Sequence, residues 1–264
     1  MNDNFHELIQ SYNIIDDLFF HKVMEDTAAA EEMIQIILDD KHINVISSTP
    51  QYSLRNIGNR SVVLDLLCRD AEGRIFNVEM QRANDTDHQK RMRYHISNID
   101  TRFTEKGIDF KDLPELFSIM ISDFDIFKSD MTVYHIDRVL RERGSVEQNG
   151  IHEIYVNAKG TDNTEVTELM KYILDSNGFN PQFPKISSRV EYFKHDNGGE
   201  SMGKSIAELR EEGRIEGKAE GRAEARAEIL KNLGISEADY QKILNNKSIQ
   251  PVVSEDTSRN TYVL

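Results

Sequence analysis

The stretch SVVLDLLCRDAEGRIFNVEMQ, from Ser61 to Gln81, decides how this chain is read. Two apolar runs, Ser61 to Cys68 and Arg74 to Gln81, flank Asp70-Ala71-Glu72-Gly73, a turn that contains glycine. That pattern predicts a β-hairpin. Asp65 interrupts the first run between Leu64 and Leu66, and Glu79 lies in the second with Gln81 two residues on. Side chains at i and i+2 share a strand face, so Glu79 and Gln81 point together, and the register suggested by the turn brings Asp65 near Glu79. Two carboxylates on one side of a sheet repel unless a cation lies between them or one is protonated. A divalent metal resolves this economically, and Mg²⁺ suits oxygen ligands of this kind. The spacing alone is not specific, because an isolated Asp and Glu on strands are ordinarily solvent-facing.

On the N-terminal side, apolar residues at Ile14, Ile15, Leu18, Phe19, Phe20, Val23 and Met24 predict a helix over 14–26, and Met33, Ile34, Ile37 and Leu38 predict another over 28–38. Short extended runs come next, at 43–46 and 52–57. On the C-terminal side, Met92, Ile96, Ile99 and Phe103 are spaced as one face of a helix from His88 to Phe103, with Gly107 as its stop. Leu116 to Ser122 (LFSIMIS) reads as a strand buried on both faces. Weaker strands are expected at 132–136 and 151–156, and a helix at 164–174. Helices on a mixed sheet of about five to seven strands is the α/β architecture this order implies.

Residues 177–204 are rich in Gly, Asn, Ser and Pro and read as a linker after a first domain at 1–176. A four-residue repeat then runs through Glu212-Gly213-Arg214, Glu216-Gly217-Lys218, Glu220-Gly221-Arg222 and Glu224-Ala225-Arg226. On a helix each residue type of this repeat forms a slowly drifting stripe, with Glu roughly opposite Lys/Arg. It is either a solvated helix of poor propensity or a self-association helix, in which Gly and Ala permit close approach. Ser236 caps one more short helix, so 205–245 is expected to be helical and 246–264 a disordered tail.

The 264 residues carry a net charge of −14, with 38% hydrophobic residues and a single cysteine, Cys68. A disulfide-stapled domain and a zinc ribbon are excluded. So is bulk electrostatic coating of nucleic acid, although a local basic strip beside a metal-neutralised acidic site remains compatible with DNA chemistry. No apolar run is long enough for a membrane span and the first residues lack signal-peptide order, so the expected address is the cytoplasm, with no membrane partner. His88 and His95 lack a third ligand at matching spacing for zinc, and His21 reads as a packed or surface histidine.

The apolar-flanked Asp65, the Gly-containing turn and Arg74-Ile75-Phe76-Asn77-Val78-Glu79-Met80-Gln81 resemble the PD-(D/E)XK nuclease superfamily, and within it the bacterial PD-(D/E)XK nuclease family transposases, related to recombination-promoting nucleases. Asp17-Leu18-Phe19-Phe20-His21-Lys22-Val23-Met24 is similar to that family's N-terminal helix. Arg91-Met92-Arg93-Tyr94 is similar to its basic helix after the motif, and Leu116 to Phe127 to its following strand and turn. The resemblance spans roughly 12–175.

It implies a restriction-endonuclease-like core with a C-terminal helical extension, acting as a divalent-metal-dependent DNA endonuclease linked to recombination or transposition. Carried over, Asp65 and Glu79 hold Mg²⁺ or Mn²⁺ together with the backbone carbonyl of Met80. Gln81 takes the catalytic position usually held by Lys. An amide lacks the cation of that lysine, but relatives in this group commonly have Gln there. Gln81 is then expected to orient water, with a cation from Lys90, Arg91 or Arg93. Arg82 to Arg93 carries +2 in an acidic chain. Lys90, Arg91, Arg93 and Tyr94 are accordingly the expected contacts to double-stranded DNA. The competing reading is a catalytically weak domain of the same fold, working as a DNA-binding or oligomeric module through its C-terminal helix.

Overall fold

The computed structural model describes residues 3–54, 61–84, 87–104, 107–196, 198–200 and 202–204. The chain divides into two compact units, Met1–Ile206 and Ala207–Leu264. The expected Glu-Gly-Arg repeat, capped helix, tail and C-terminal association surface lie outside the described residues.

Within the first unit, three helices open the chain: α1 (Asp3–Ser11), α2 (Asp17–Met24) and α3 (Thr27–Leu38). The α2 helix is shorter than its apolar pattern suggested, and Asp26 starts α3 by accepting from the backbone N–H groups of Ala28 and Ala29. The strands β1 (Val45–Leu54), β2 (Val62–Asp70) and β3 (Ile75–Gln81) form an antiparallel meander. The two short runs expected at 43–46 and 52–57 are thus one strand through Pro50. Because β1 is an edge strand, the missing proline N–H costs little there. The β2–β3 turn is held by the buried Asp70 carboxylate, which accepts from the backbone N–H groups of Glu72 (3.0 Å) and Arg74 (2.8 Å) and pairs with the Arg74 guanidinium at 2.6 Å. Gly73 has φ +86° in this turn, a conformation that a Cβ disfavours.

Helix α4 (His88–Phe103) comes next, capped by Asp87, whose carboxylate accepts from Lys90 N–H at 3.0 Å. The chain then returns to β4 (Leu116–Ser122), parallel to β3. After it come β5 (Val133–Ile136), the short hairpin β6 (Val139–Leu140) and β7 (Ser145–Val146), and then β8 (Ile151–Asn157). The six-stranded mixed sheet has the order β1-β2-β3-β4-β8-β5, with β3, β4 and β8 parallel.

Helix α5 (Glu165–Leu174) and helix α6 (Pro184–Lys194) complete the unit. The second of these corrects the expectation of a linker over 177–204. Phe183, Ile186, Val190, Phe193 and Met202 are all buried in the main core, and the Lys194 ammonium donates to the carbonyl oxygens of Ser176 (3.0 Å) and Gln10 (3.3 Å). Polar residues around the helix hid its apolar face.

Two cores sandwich the sheet. One unites α1, α2, α3, α5 and α6 with Leu66, Cys68, Phe76, Val78 and Met80. The other lies under α4 and takes Val62, Leu64, Leu67, Ile75, Met92, Ile96 and Ile99. The even-numbered residues of β2 therefore change face between Leu64 and Leu66, although residues two apart on a regular strand share a face. Strand β1 switches with it: Ser48 bonds the Met24 carbonyl on the first side, whereas Tyr52 stacks on Phe103 on the second. The switch falls at Gln51 (φ +51°) and Asp65, where the β1–β2 ladder skips one pair between Pro50–Leu66 and Tyr52–Leu64. No helix among the described residues is long and apolar enough to cross a membrane.

Candidate active site

The β2–β3 ladder ends at Leu66 and Val78, and one further step in that register sets Asp65 opposite Glu79. There the strands part. The Asp65 carboxylate accepts from the Met80 N–H at 2.9 Å, so a side chain takes over at the point where the ladder of backbone carbonyls stops. Strand β3 holds the other half of the site rigidly, since it pairs with β4 from Ile75–Leu116 through Gln81–Ser122.

Glu79 is 1% exposed, and neither carboxylate oxygen has a hydrogen-bonding partner among the described residues. Its neighbours are cations or potential cations of α4: His95 Nδ1 at 3.1 Å, in an orientation outside hydrogen bonding, and the Arg91 guanidinium at 3.9 Å. Asp65 is half-buried. Burial, and after it the charge of Glu79, push its carboxyl up to about 7, while the Met80 N–H and Arg91 act in the opposite direction. The pair thus carries the like-charge strain expected of two carboxylates that lack a cation between them.

Gln81 lies between α4 and the segment that follows β3. Its Nε2 donates to the Ala83 carbonyl at 2.6 Å and its Oε1 accepts from Arg91, so the amide links the backbone to a guanidinium. Each end retains capacity for a second bond, an N–H on Nε2 and a lone pair on Oε1, through which a water can be oriented. Of the candidate cations, Arg91 alone reaches Glu79 among the ion pairs of the described residues. Lys90 is exposed and pairs with Asp87 at 2.7 Å. Arg93 points into a different cavity, shared with Asp100, Arg138 and Glu153. Tyr94 lines a cavity together with Lys90, Arg91 and His95.

Three neighbours were missed in the sequence. His95 is one helical turn beyond Arg91, and nothing in the pattern of α4 marks it as facing Glu79. Asp17 and His21 are likewise one turn apart on α2. Burial lowers the His21 pKa against the attraction of Asp17 and Glu79, and its buried Nε2 has no hydrogen-bonding partner among the described residues. The (i, i+4) spacing of an acid and a histidine was the available signal. His88, by contrast, packs against Phe124 in a tilted ring contact and bonds Asn84.

Among the described residues no three His, Cys, Asp or Glu side chains gather to hold a metal ion. Two carboxylates and a carbonyl are a smaller set, and the buried, unpartnered oxygens of Glu79 beside Asp65 fit a hard divalent cation whose remaining positions are filled by water and substrate oxygens.

The family model of the PD-(D/E)XK nuclease family transposases matches residues 17–173, more than half of the chain. The chain belongs to this family. No curated protein and no solved structure matches it. The matched span of this PD-(D/E)XK nuclease family member starts at Asp17 and ends in α5, so it takes in α2, the hairpin with Asp65 and Glu79, and α4. The six-stranded mixed sheet with flanking helices is the restriction-endonuclease-like fold expected of such a protein.

Proposed function

We propose that the protein is a divalent-metal-dependent endonuclease that hydrolyses phosphodiester bonds of double-stranded DNA in recombination or transposition. The observation that carries this reading is the convergence of Asp65 and the buried, unpartnered Glu79 where β2 parts from β3. Asp65, Glu79 and the Met80 carbonyl would hold Mg²⁺ or Mn²⁺. When bound, such an ion neutralises phosphate charge and lowers the pKa of a bound water. Asp65 is kept in place by the Met80 N–H, and Glu79 by its position inside the β3–β4 ladder. Arg91 supplies the positive charge that the superfamily ordinarily takes from lysine at position 81, and Gln81 acts as its positioning residue by accepting from the guanidinium. A fixed cation at the developing phosphorane is worth most in a water-poor site of this kind. Lys90 and Tyr94 border the same cavity as Arg91 and contact the DNA, Lys90 at a phosphate, while Arg93 serves at most a more distant phosphate.

A plasmid-nicking assay with Mg²⁺ or Mn²⁺, repeated in excess EDTA, tests this. Metal-dependent nicking that weakens steeply with salt is expected. Nicking undiminished by EDTA, or equal in wild type and a folded Glu79→Gln variant, defeats the metal assignment. The second reading, a catalytically weak DNA-binding or oligomeric module, draws on the uncharged amide at position 81 and the net charge of −14. Salt-sensitive DNA binding with no metal-dependent cleavage would favour it.

A further inference from the structure

Beside the carboxylates lies a cavity of about 560 Å³ bounded by Ser61, Val62 and Val63 of the β2 side and by Lys90, Arg91, Tyr94 and His95 of α4. Two of its lining residues, Arg91 and His95, are the same side chains that approach Glu79 at 3.9 and 3.1 Å. The cavity therefore adjoins the candidate metal site through shared walls. Its chemistry is of two kinds. Val63 and Tyr94 are large apolar side chains exposed at 54% and 37%, and with Val62 they give it a hydrophobic wall. Lys90 and Arg91 bring positive charge to the same wall, and the Lys90–Tyr94 and Arg91–His95 pairs each repeat at one helical turn.

An aromatic face with apolar support and adjacent cations is the composition that holds an unstacked base and its phosphate. A volume of this size lies in the range of pockets, roughly 300–1,000 Å³, that enclose ligands as small as a nucleotide. A fully paired duplex is a convex rod with its bases inside, and it would leave such a hollow unfilled. The chain's net charge of −14 also leaves little for broad phosphate binding, so affinity must be concentrated where cations and an aromatic meet.

We infer that this cavity takes an unpaired nucleotide next to the bond presented to Asp65 and Glu79, so that the preferred substrate is DNA with a locally unpaired strand. The inference rests on the nuclease reading for the position of the bond, and on the cavity alone for the unpaired base. An enzyme of this kind would act at gaps, bulges, flaps or strand-exchange junctions more readily than within intact duplex.

The test is a binding titration of the full chain in Ca²⁺, with duplexes of one sequence that carry 2-aminopurine either fully paired or in a single-nucleotide bulge. The bulged duplex is expected to bind at least about tenfold tighter, a difference of roughly 1.4 kcal/mol, with a change in 2-aminopurine fluorescence on binding. Tyr94→Ala should weaken binding of the bulged duplex by about 5- to 150-fold, the cost of one stacked base, and Tyr94→Phe should retain it. A second substitution, Val63→Glu, sets a negative charge in the hollow from an exposed strand position and should also abolish the preference. Equal affinity for the paired and bulged duplexes, no binding of either, or a bulge preference that survives both Tyr94→Ala and Val63→Glu overturns the inference. Cleavage is read separately with Mg²⁺ or Mn²⁺. A bulge preference without any cleavage removes the nuclease reading and leaves the nucleotide site standing, whereas rapid cleavage without a preference does the reverse.

Discussion

The Arg91 guanidinium donates to the Gln81 side-chain oxygen, and through that bond a helix residue is fixed beside a buried carboxylate of the neighbouring strand. Position 81 thereby keeps a part in charge placement without itself being charged.

This arrangement makes the cation transferable. Arg91→Ala is expected to cut the nicking rate by about 10²- to 10³-fold, the usual cost of removing one stabilising donor from a preorganised site. Gln81→Lys added to Arg91→Ala should recover part of that loss, because an ammonium at position 81 would face the same region. Single-turnover nicking rates of the three variants check this, and a double variant as inactive as Arg91→Ala alone counts against the assignment.

Asp65→Asn should raise the melting temperature of the protein in EDTA at pH 8. The amide oxygen can still accept from the Met80 N–H, while one of two facing carboxylates is removed. Excess Mg²⁺ should raise the melting temperature of the wild type more than that of the variant. Calorimetry in both conditions reads the difference, and a less stable variant in EDTA contradicts it.

Acid sensitivity should arise in part at Asp162. Burial acts to raise its pKa, but hydrogen bonds from the hydroxyl groups of Thr132 and Thr167 and from the Thr132 N–H outweigh this and hold it at about 2. A folded pKa below the ordinary 3.8 means stability that is complete above about pH 4 and is lost as pH falls toward 2. Asp162→Asn should flatten that part of the stability curve. Because the group is exposed to solvent, a loss of only about 1 kcal/mol is expected at pH 7. Denaturant titrations at pH 7, 4 and 2.5 measure it.

Two truncations should behave oppositely. Ending the chain after Ile206 should leave a cooperatively melting nuclease unit, whereas ending it after Ser176 should abolish cooperative melting. The shorter chain lacks the buried Phe183, Ile186, Val190, Phe193 and Met202. At about 1.5–3 kcal/mol for each large side chain, their loss rivals the whole stability of a domain, about 5–15 kcal/mol. Thermal melts followed by circular dichroism decide the matter.

The hairpin and the convergence of Asp65 with Glu79 were legible because strand alternation and a glycine turn are local signals, and Gly73 at φ +86° is what that turn required. Helix α4 was legible too, with Met92, Ile96 and Ile99 all buried. Which α4 side chains would meet Glu79 was not, since that depends on how the helix lies across the sheet, a long-range matter that leaves no mark on residues 88–103. Helix α6 was lost for the opposite reason. Its apolar residues Ile186, Val190 and Phe193 have helical spacing, but the glycines, asparagines and prolines around them dominated the composition. Strand β1 was divided in two by Pro50, which an edge position tolerates.

The face switch shared by Gln51 and Asp65 has an energetic corollary. Leu64 and Leu66 are near neighbours in sequence, yet one packs under α4 and the other among α1, α2, α3, α5 and α6. A double-mutant cycle on the two leucines is therefore expected to close with little interaction energy, because their side chains belong to different cores and share no packing partners there. Cycles of Leu64 with Met92 and of Leu66 with Val78 are expected to show interaction energy, because each pair shares a core. Asp65 thus stands on a backbone segment whose two flanks are anchored independently, so repacking one core to gain thermostability leaves the other anchor of the carboxylate in place.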